Sequence, residues 1–163
     1  MSIWGLDLDE FNLCILHKAQ QLMFSVNDHP YYASMKMIYQ TYYNKDIKVF
    51  TGEKEWVTAK IVGRPCNENL IRINKSLICS GNTLIACEDG YKPAKLLSSL
   101  DKIRMPITPH WSGPTFLSKD RLDDVTDISG VEPLEDDWLF GLRFFGPNNS
   151  YTLKNGMIVS ARQ

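Results

Sequence analysis

A chain of 163 residues, 44% of them hydrophobic, has enough apolar material for one core, so a single domain, or a domain with a small appendage, is expected. Its 18 basic and 19 acidic residues leave a net charge of −1, which argues against a sequence-independent grip on nucleic acid, since that needs clustered Lys and Arg. No apolar run approaches the roughly 20 residues of a membrane span, and no basic stretch followed by an apolar one opens the chain, so a soluble, non-secreted protein is expected.

Residues 1–45 read as a helical hairpin, a unit separate from residues 46–163. Asp7 or Asp9 is placed to cap a first helix with Phe11, Ile15, Ala19, Leu22 and Met23 on one face, at spacings of three and four. A break follows at residues 25–28. Asp28 then caps a second helix with Pro30 in its first turn, where the missing N–H costs nothing. Tyr31, Met35, Ile38 and Tyr42 share one face of that helix, flanked by Tyr32 and Tyr39. Tyr31, Tyr32, Tyr39, Tyr42 and Tyr43 form a candidate partner-binding surface, because tyrosine joins apolar area to a polar tip with few rotors. Packing over a β-domain accounts for the same residues more simply, and base stacking is the weakest of the three readings.

From Ile47 the apolar period changes to two. Residues 47–51 and 56–63 read as strands around a turn at residues 52–55, and residues 69–73 begin another after Arg64-Pro65. Residues 77–80 and 83–87 are strands broken at Gly81-Asn82. A tight turn at Glu88-Asp89-Gly90 leads to a further strand near residues 102–105, Asp-Gly between apolar runs being a strong hairpin signal. Three prolines make residues 106–114 a loop. The acidic, turn-rich stretch 120–137 reads as a solvated loop, without the spacing of a calcium-binding loop. The chain closes on strands over residues 137–144 and 150–153, an Asn155-Gly156 turn of the I′ kind, and a return strand over residues 157–160.

This order of pieces resembles the Hint fold of inteins and hedgehog autoprocessing domains. In that family a strand ends in T-x-x-H, and here Ser80-Gly81-Asn82-Thr83 falls in its place. Asp89-Gly90-Tyr91 matches the family's turn, Ala94-Lys95-Leu96-Leu97 its A-x-D-L step, and Leu100-Asp101-Lys102-Ile103 its G-D-x-I strand. Asn155-Gly156-Met157-Ile158-Val159 matches its closing N-G-I-x-V, with Ser160-Ala161 where His-Asn should stand. The resemblance runs over residues 47–160 and implies a mainly β fold of twisted hairpins, preceded by the N-terminal α-hairpin. Splicing in that family needs a Cys or Ser at the module's first position, the T-x-x-H histidine and a terminal Asn. No nucleophile stands just ahead of Ile47, Thr83 is not a base near neutral pH, and Ala161 cannot cyclise. Ser80, Asn82, Thr83 and Ser160 are therefore relic positions, and no catalytic residue is expected.

The cysteines Cys14, Cys66, Cys79 and Cys87 form no C-x-x-C pair and the three histidines are scattered, so buried reduced thiols are expected, with no metal and no cofactor. Inactive Hint-like domains of this kind resemble ones found in structural proteins of large bacteriophages. The resemblance implies a non-enzymatic virion component (tail, baseplate or neck) that contacts protein subunits of a larger assembly, including further copies of itself, with no membrane or nucleic-acid partner. Its place is then the virion or the cytoplasm of the infected host. Two other readings stay open: a small regulator that binds a host protein, and a cysteine-dependent autoprocessing enzyme using Cys79 or Cys87.

Overall fold

The computed structural model describes residues 11–108 and 115–161, and in it the alternating patterns beyond residue 46 become strands. In chain order the elements are β1 (Leu16–His17), β2 (Gln21–Val26), β3 (His29–Ser34), α1 (Met35–Thr41), β4 (Ile47–Phe50), β5 (Trp56–Pro65), β6 (Leu70–Ile73), β7 (Leu77–Ser80), β8 (Leu84–Cys87) and β9 (Gly90–Pro93). A short 3-10 turn (Ala94–Leu96) precedes β10 (Lys102–Thr108), β11 (Thr115–Asp124), β12 (Ile128–Val131), β13 (Trp138–Phe144), β14 (Ser150–Thr152) and β15 (Ile158–Ser160). Nine strands make one sheet in the order β12-β6-β7-β1-β13-β5-β4-β2-β3. A second sheet runs β11-β10-β8-β15-β14, with β9 also paired to β8. One core joins them: Leu16, Phe24, Val49, Ile61, Cys79 and Phe140 from the first sheet pack with Ile85, Ile103, Tyr151 and Val159 from the second.

The mainly β expectation holds, but the N-terminal α-hairpin does not form. Its first half is β1 and β2, and its second half is β3 followed by α1. The helical spacing misleads because β2 is buried on both faces. Leu22 and Phe24 enter the main core, while Met23 packs with Phe50 and Tyr32 on the other side. A strand covered on both faces carries a continuous apolar run, which periodicity alone does not separate from a helix. Asp28 caps nothing. With Asn27 it forms the β2–β3 turn, both residues at positive φ (53° and 65°), as a two-residue I′ hairpin requires. Pro30 lies on β3, the last strand of its sheet, where a missing donor is tolerated. The helix cap is Ser34, whose hydroxyl accepts the Met37 N–H at 3.2 Å. Residue 45 does not interrupt the sheet either: β1 pairs with β13 and β7, and β2 pairs with β4. Asp7 and Asp9 lie outside the described residues.

Three smaller expectations are also corrected. The acidic stretch contains the end of β11 and all of β12, the latter paired to β6 in register from Ile128↔Ile73 to Val131↔Leu70. Charged side chains are compatible with these strands because each lies at the edge of its sheet. Residues 106–108, expected in a loop, continue β10, and Pro106 sits where the β10–β11 register shifts, a place that tolerates a residue without an N–H; residues 109–114 lie outside the described residues. The turn before β15 is not a I′ pair. Only Gly156 has positive φ (93°), and the Leu153 N–H bonds to the Met157 carbonyl around a three-residue connection.

The two-residue strand β1 is gripped at both ends. Ahead of it, the buried Arg64 guanidinium donates to the carbonyls of Phe11 (3.2 Å) and Cys14 (3.3 Å), stacks 4.3 Å over the Phe11 ring, and pairs with Glu68 at 2.5 Å. Behind it, the buried Asp137 carboxylate pairs with Lys18 at 2.7 Å, lies 3.6 Å from His17 and accepts the Leu134 N–H at 2.8 Å. Burial alone would raise the Asp137 carboxyl. The Lys18 and Leu134 donors and the nearby His17 and Lys18 charges outweigh it and hold the group below the usual carboxylate range. Between these grips, Gly141 lets the backbone of β13 touch the chain ahead of β1: a Cβ there would stand 1.7 Å from the Leu13 carbonyl oxygen.

Gly141→Ala is therefore expected to cost about 3 kcal/mol or more in urea unfolding, because the clash is with backbone that cannot swing aside. Asp137 has a depressed folded pKa, so its contribution is present above its unfolded value of about 4 and is lost as pH falls through the lower folded value. The urea midpoint is expected to drop between roughly pH 5 and pH 3. Asp137→Asn is expected to lower stability at neutral pH by about 2 kcal/mol, since Lys18 keeps some access to water, and to flatten that acid slope.

Candidate functional site

Two of the positions singled out from the sequence, Ser80 and Thr83, meet where β7 ends beside β1. The Ser80 N–H donates to the Ile15 carbonyl at 2.8 Å, and the chain then turns so that the Thr83 N–H returns to the Ser80 carbonyl at 3.1 Å. Thr83 is fully buried. Its hydroxyl donates to the same Ile15 carbonyl at 3.4 Å and lies 3.1 Å from the Ser80 hydroxyl. Ser160, also buried, pairs with Leu84, one residue beyond Thr83, and with Ser150. Ala161 packs against both the main core and the smaller cluster that contains Leu13 and Cys14. Ser80 and Thr83 are thus in contact, and Ser160 lies on the strand paired beside the residue that follows Thr83. Asn82 does not join them: it is exposed, and its side-chain carbonyl accepts from the Lys95 ammonium at 2.9 Å.

The reading from sequence missed Cys14, which stands at the head of β1. The Ile15 carbonyl that receives Ser80 and Thr83 belongs to the next residue, and the Cys14 carbonyl is held by Arg64. Cys14 is completely buried, as is Cys79 on β7. Tyr151 completes the group from β14. Its hydroxyl is buried without a hydrogen-bond partner among the described residues, and burial pushes it up, with the Cys14 and Cys79 thiols adding to the effect. The clue to Cys14 was hidden by the helical spacing of the residues around it, which placed the start of the module at Ile47.

The chemistry available here is limited. Burial pushes the Cys79 thiol up to about 12, against a smaller lowering from its Thr83 hydrogen bond, so it is protonated at neutral pH. Burial likewise takes Cys87 up to about 11. Neither described imidazole is bonded to Thr83. His17 faces Asp137 through Nε2 and accepts the Ala19 N–H on Nδ1, and His29 is exposed at the start of β3. Among the described residues no set of three or more His, Cys, Asp or Glu is placed to hold a metal ion, and no helix is long and apolar enough to cross a membrane.

The five tyrosines do not share one helical face. Tyr31 and Tyr32 are consecutive on β3 and point to opposite sides of the sheet: Tyr31 packs 5.7 Å from Phe24, and Tyr32 joins Met23 and Phe50 beneath Lys154. Tyr39, on α1, contacts Phe140 at 5.2 Å and Trp138 at 6.1 Å, and Tyr42 meets Phe24 edge-on at 5.8 Å. Tyr43 leans on Tyr39 at 5.3 Å and is largely exposed, as is Tyr31. Tyr39 and Tyr42 thus serve packing.

No family model and no curated protein matches the sequence. Solved structures do. An intein from a hyperthermophile superposes with a TM-score of 0.70 at 17% identity, covering 90% of this chain and 98% of the intein. The Mvu transcription factor IIB mini-intein gives 0.67 at 9% identity over 90% and 98%. A DnaB intein from Synechocystis gives 0.60 at 15% identity over 91% and 99%. A match over nine-tenths of the chain cannot be met by residues 47–160 alone, so the shared architecture extends into the residues ahead of Ile47. The fold is the Hint fold of inteins, and it begins well ahead of Ile47.

Proposed function

We propose that this protein is an inert Hint-like module, a structural or assembly element whose neighbours are protein subunits. The observation that carries this reading is Thr83. It stands at the position the resemblance gives to the T-x-x-H histidine, is fully buried, and has its hydroxyl committed to the Ile15 carbonyl and Ser80. A hydroxyl so placed neither strains nor protonates a leaving amide. Ser160-Ala161 brings no carboxamide to close the reaction. The virion as the setting rests on the likeness to inactive Hint-like domains of phage structural proteins.

Autoprocessing is the second reading, and Cys14 favours it, because a thiol at the head of β1 precedes the carbonyl that the relic residues bind. Incubating the protein with dithiothreitol or hydroxylamine separates the two, since either would cleave a thioester formed at the Leu13–Cys14 bond. The expected result is a single intact mass. A fragment pair divided at Leu13–Cys14 would overturn the inert reading. Native mass spectrometry of the same sample reports assembly, a defined oligomer being the outcome expected of a building block. Alkylation tests the reading that gives Cys79 or Cys87 a catalytic thiolate. At neutral pH both are expected to react roughly a hundredfold or more slowly than a cysteine peptide, because so little thiolate forms, and to reach the peptide's rate in denaturant.

A further inference from the structure

A cleft of about 260 Å3 opens between α1 and the start of β13, and none of Ser80, Asn82, Thr83 and Ser160 lines it. Its floor is aromatic: Tyr39, Trp138 and Phe140 pack on one another with centroid separations of 5.2 to 6.2 Å. Lys36 and Gln40 stand on its helical wall one turn apart, spaced four residues so that they flank the same opening. Lys36 is exposed and has no acidic partner among the described residues. The opposite wall carries Lys18 and Asp136, and there the Lys18 ammonium is already matched by Asp137 at 2.7 Å. Positive charge on the helical wall is thus unmatched, while the strand side ends in the exposed carboxylate of Asp136.

We propose that this cleft docks a short peptide element of a partner protein, an apolar side chain next to a carboxylate. Size, polarity and charge select that class. Sites for drug-sized molecules occupy roughly 300–1,000 Å3, so this volume suits one large apolar side chain better than a nucleotide or cofactor. The aromatic floor supplies apolar contact for that side chain. A carboxylate beside it meets Lys36 and the Gln40 amide, both of which donate. Asp136 is complementary to a peptide N–H and repels a compact multivalent anion, which turns the site away from free phosphate. The inference rests on the assembly reading for the existence of a partner. The state of Cys14 and Thr83 does not enter it.

The test is a titration of the isotope-labelled full chain, followed by NMR, with acetyl-Leu-Glu-amide as the probe. Two matched probes remove one feature each: acetyl-Leu-Gln-amide loses the charge and acetyl-Gly-Glu-amide loses the anchor. The first is expected to shift the Trp138 indole and the Lys36 and Gln40 signals saturably, and each of the others to bind roughly tenfold more weakly. Lys36→Glu, at an exposed helix position, is expected to abolish the response while leaving the rest of the spectrum unchanged. Absence of saturable shifts in this cleft, or equal shifts with either matched probe, would overturn the proposal. So would undiminished binding by the Lys36→Glu chain. None of these failures touches the intact-mass result, and cleavage at Leu13–Cys14 would leave the peptide titration standing, so the two readings fail separately.

Discussion

The nine-stranded sheet is continuous only through β1, a strand of two residues. Leu16 pairs with Phe140 on one side and with Cys79 on the other, so β12-β6-β7 and β13-β5-β4-β2-β3 meet across it. Two residues offer few ladder hydrogen bonds, each worth about 1 kcal/mol net, and would hold such a junction weakly. The grip comes instead from two charges at one end of the β5–β13 ladder. Arg64 is opposite Leu139 in the β5–β13 pairing, and Asp137 immediately precedes Trp138, which is opposite Pro65. From that rim Arg64 reaches the carbonyls of Phe11 and Cys14, and Asp137 reaches Lys18 and His17. Both charges are buried and multiply partnered, the condition under which removing one partner is costly.

That dependence links Ser80 and Thr83 to the fold. The Ile15 carbonyl, one residue before β1, faces the Ser80 N–H and the Thr83 hydroxyl, with Ser80 and Thr83 themselves in mutual contact. An unpaired buried carbonyl costs about 1–3 kcal/mol, so these two donors help to seat β1 whether or not any chemistry takes place beside them. A hydroxyl suits this enclosed place. It satisfies an acceptor while carrying no charge, whereas an imidazole here would titrate in surroundings that disfavour its charged form.

Where the sequence was legible, one physical signal dominated. Short β-prone apolar runs bounded by turn residues mark strands, and turns that need positive φ show Gly: β4, β5, β7 and β8 and the Gly90 turn follow from that, as do β13 and β14. It failed at β2, where no Gly or Pro separates a buried strand from what precedes it. Leu22, Met23 and Phe24 are all buried, and the turn between His17 and Gln20 completes an accidental spacing of three and four. Losing β1 and β2 to a false helix also removed Cys14 from view, because a residue at the head of the first strand is recognised only once the strand is. The tyrosines misled for a related reason: Tyr31 and Tyr32 lie on a strand and Tyr39 on a helix, so one helical wheel mixed three environments. The order of motifs placed Ser80 at the end of β7 and Thr83 just ahead of β8, where the structure has them.

The sheet edges are built against strand addition by another chain. β3 ends one sheet and carries Pro30, which removes a donor from its strand. β12 ends the other side with four residues, followed by Glu132 and preceded by Asp127. β11 bears Lys119, Asp120, Arg121, Asp123 and Asp124, and β14 has only three residues. Short strands, proline and charge are the devices that discourage strand addition between chains. With the backbone edges blunted, side chains are the surface left for contact, and the wall between α1 and β13 combines aromatic area with charge unmatched on one side. If the chain is the inert module proposed above, a surface of that kind is what its edges leave for contact with a partner.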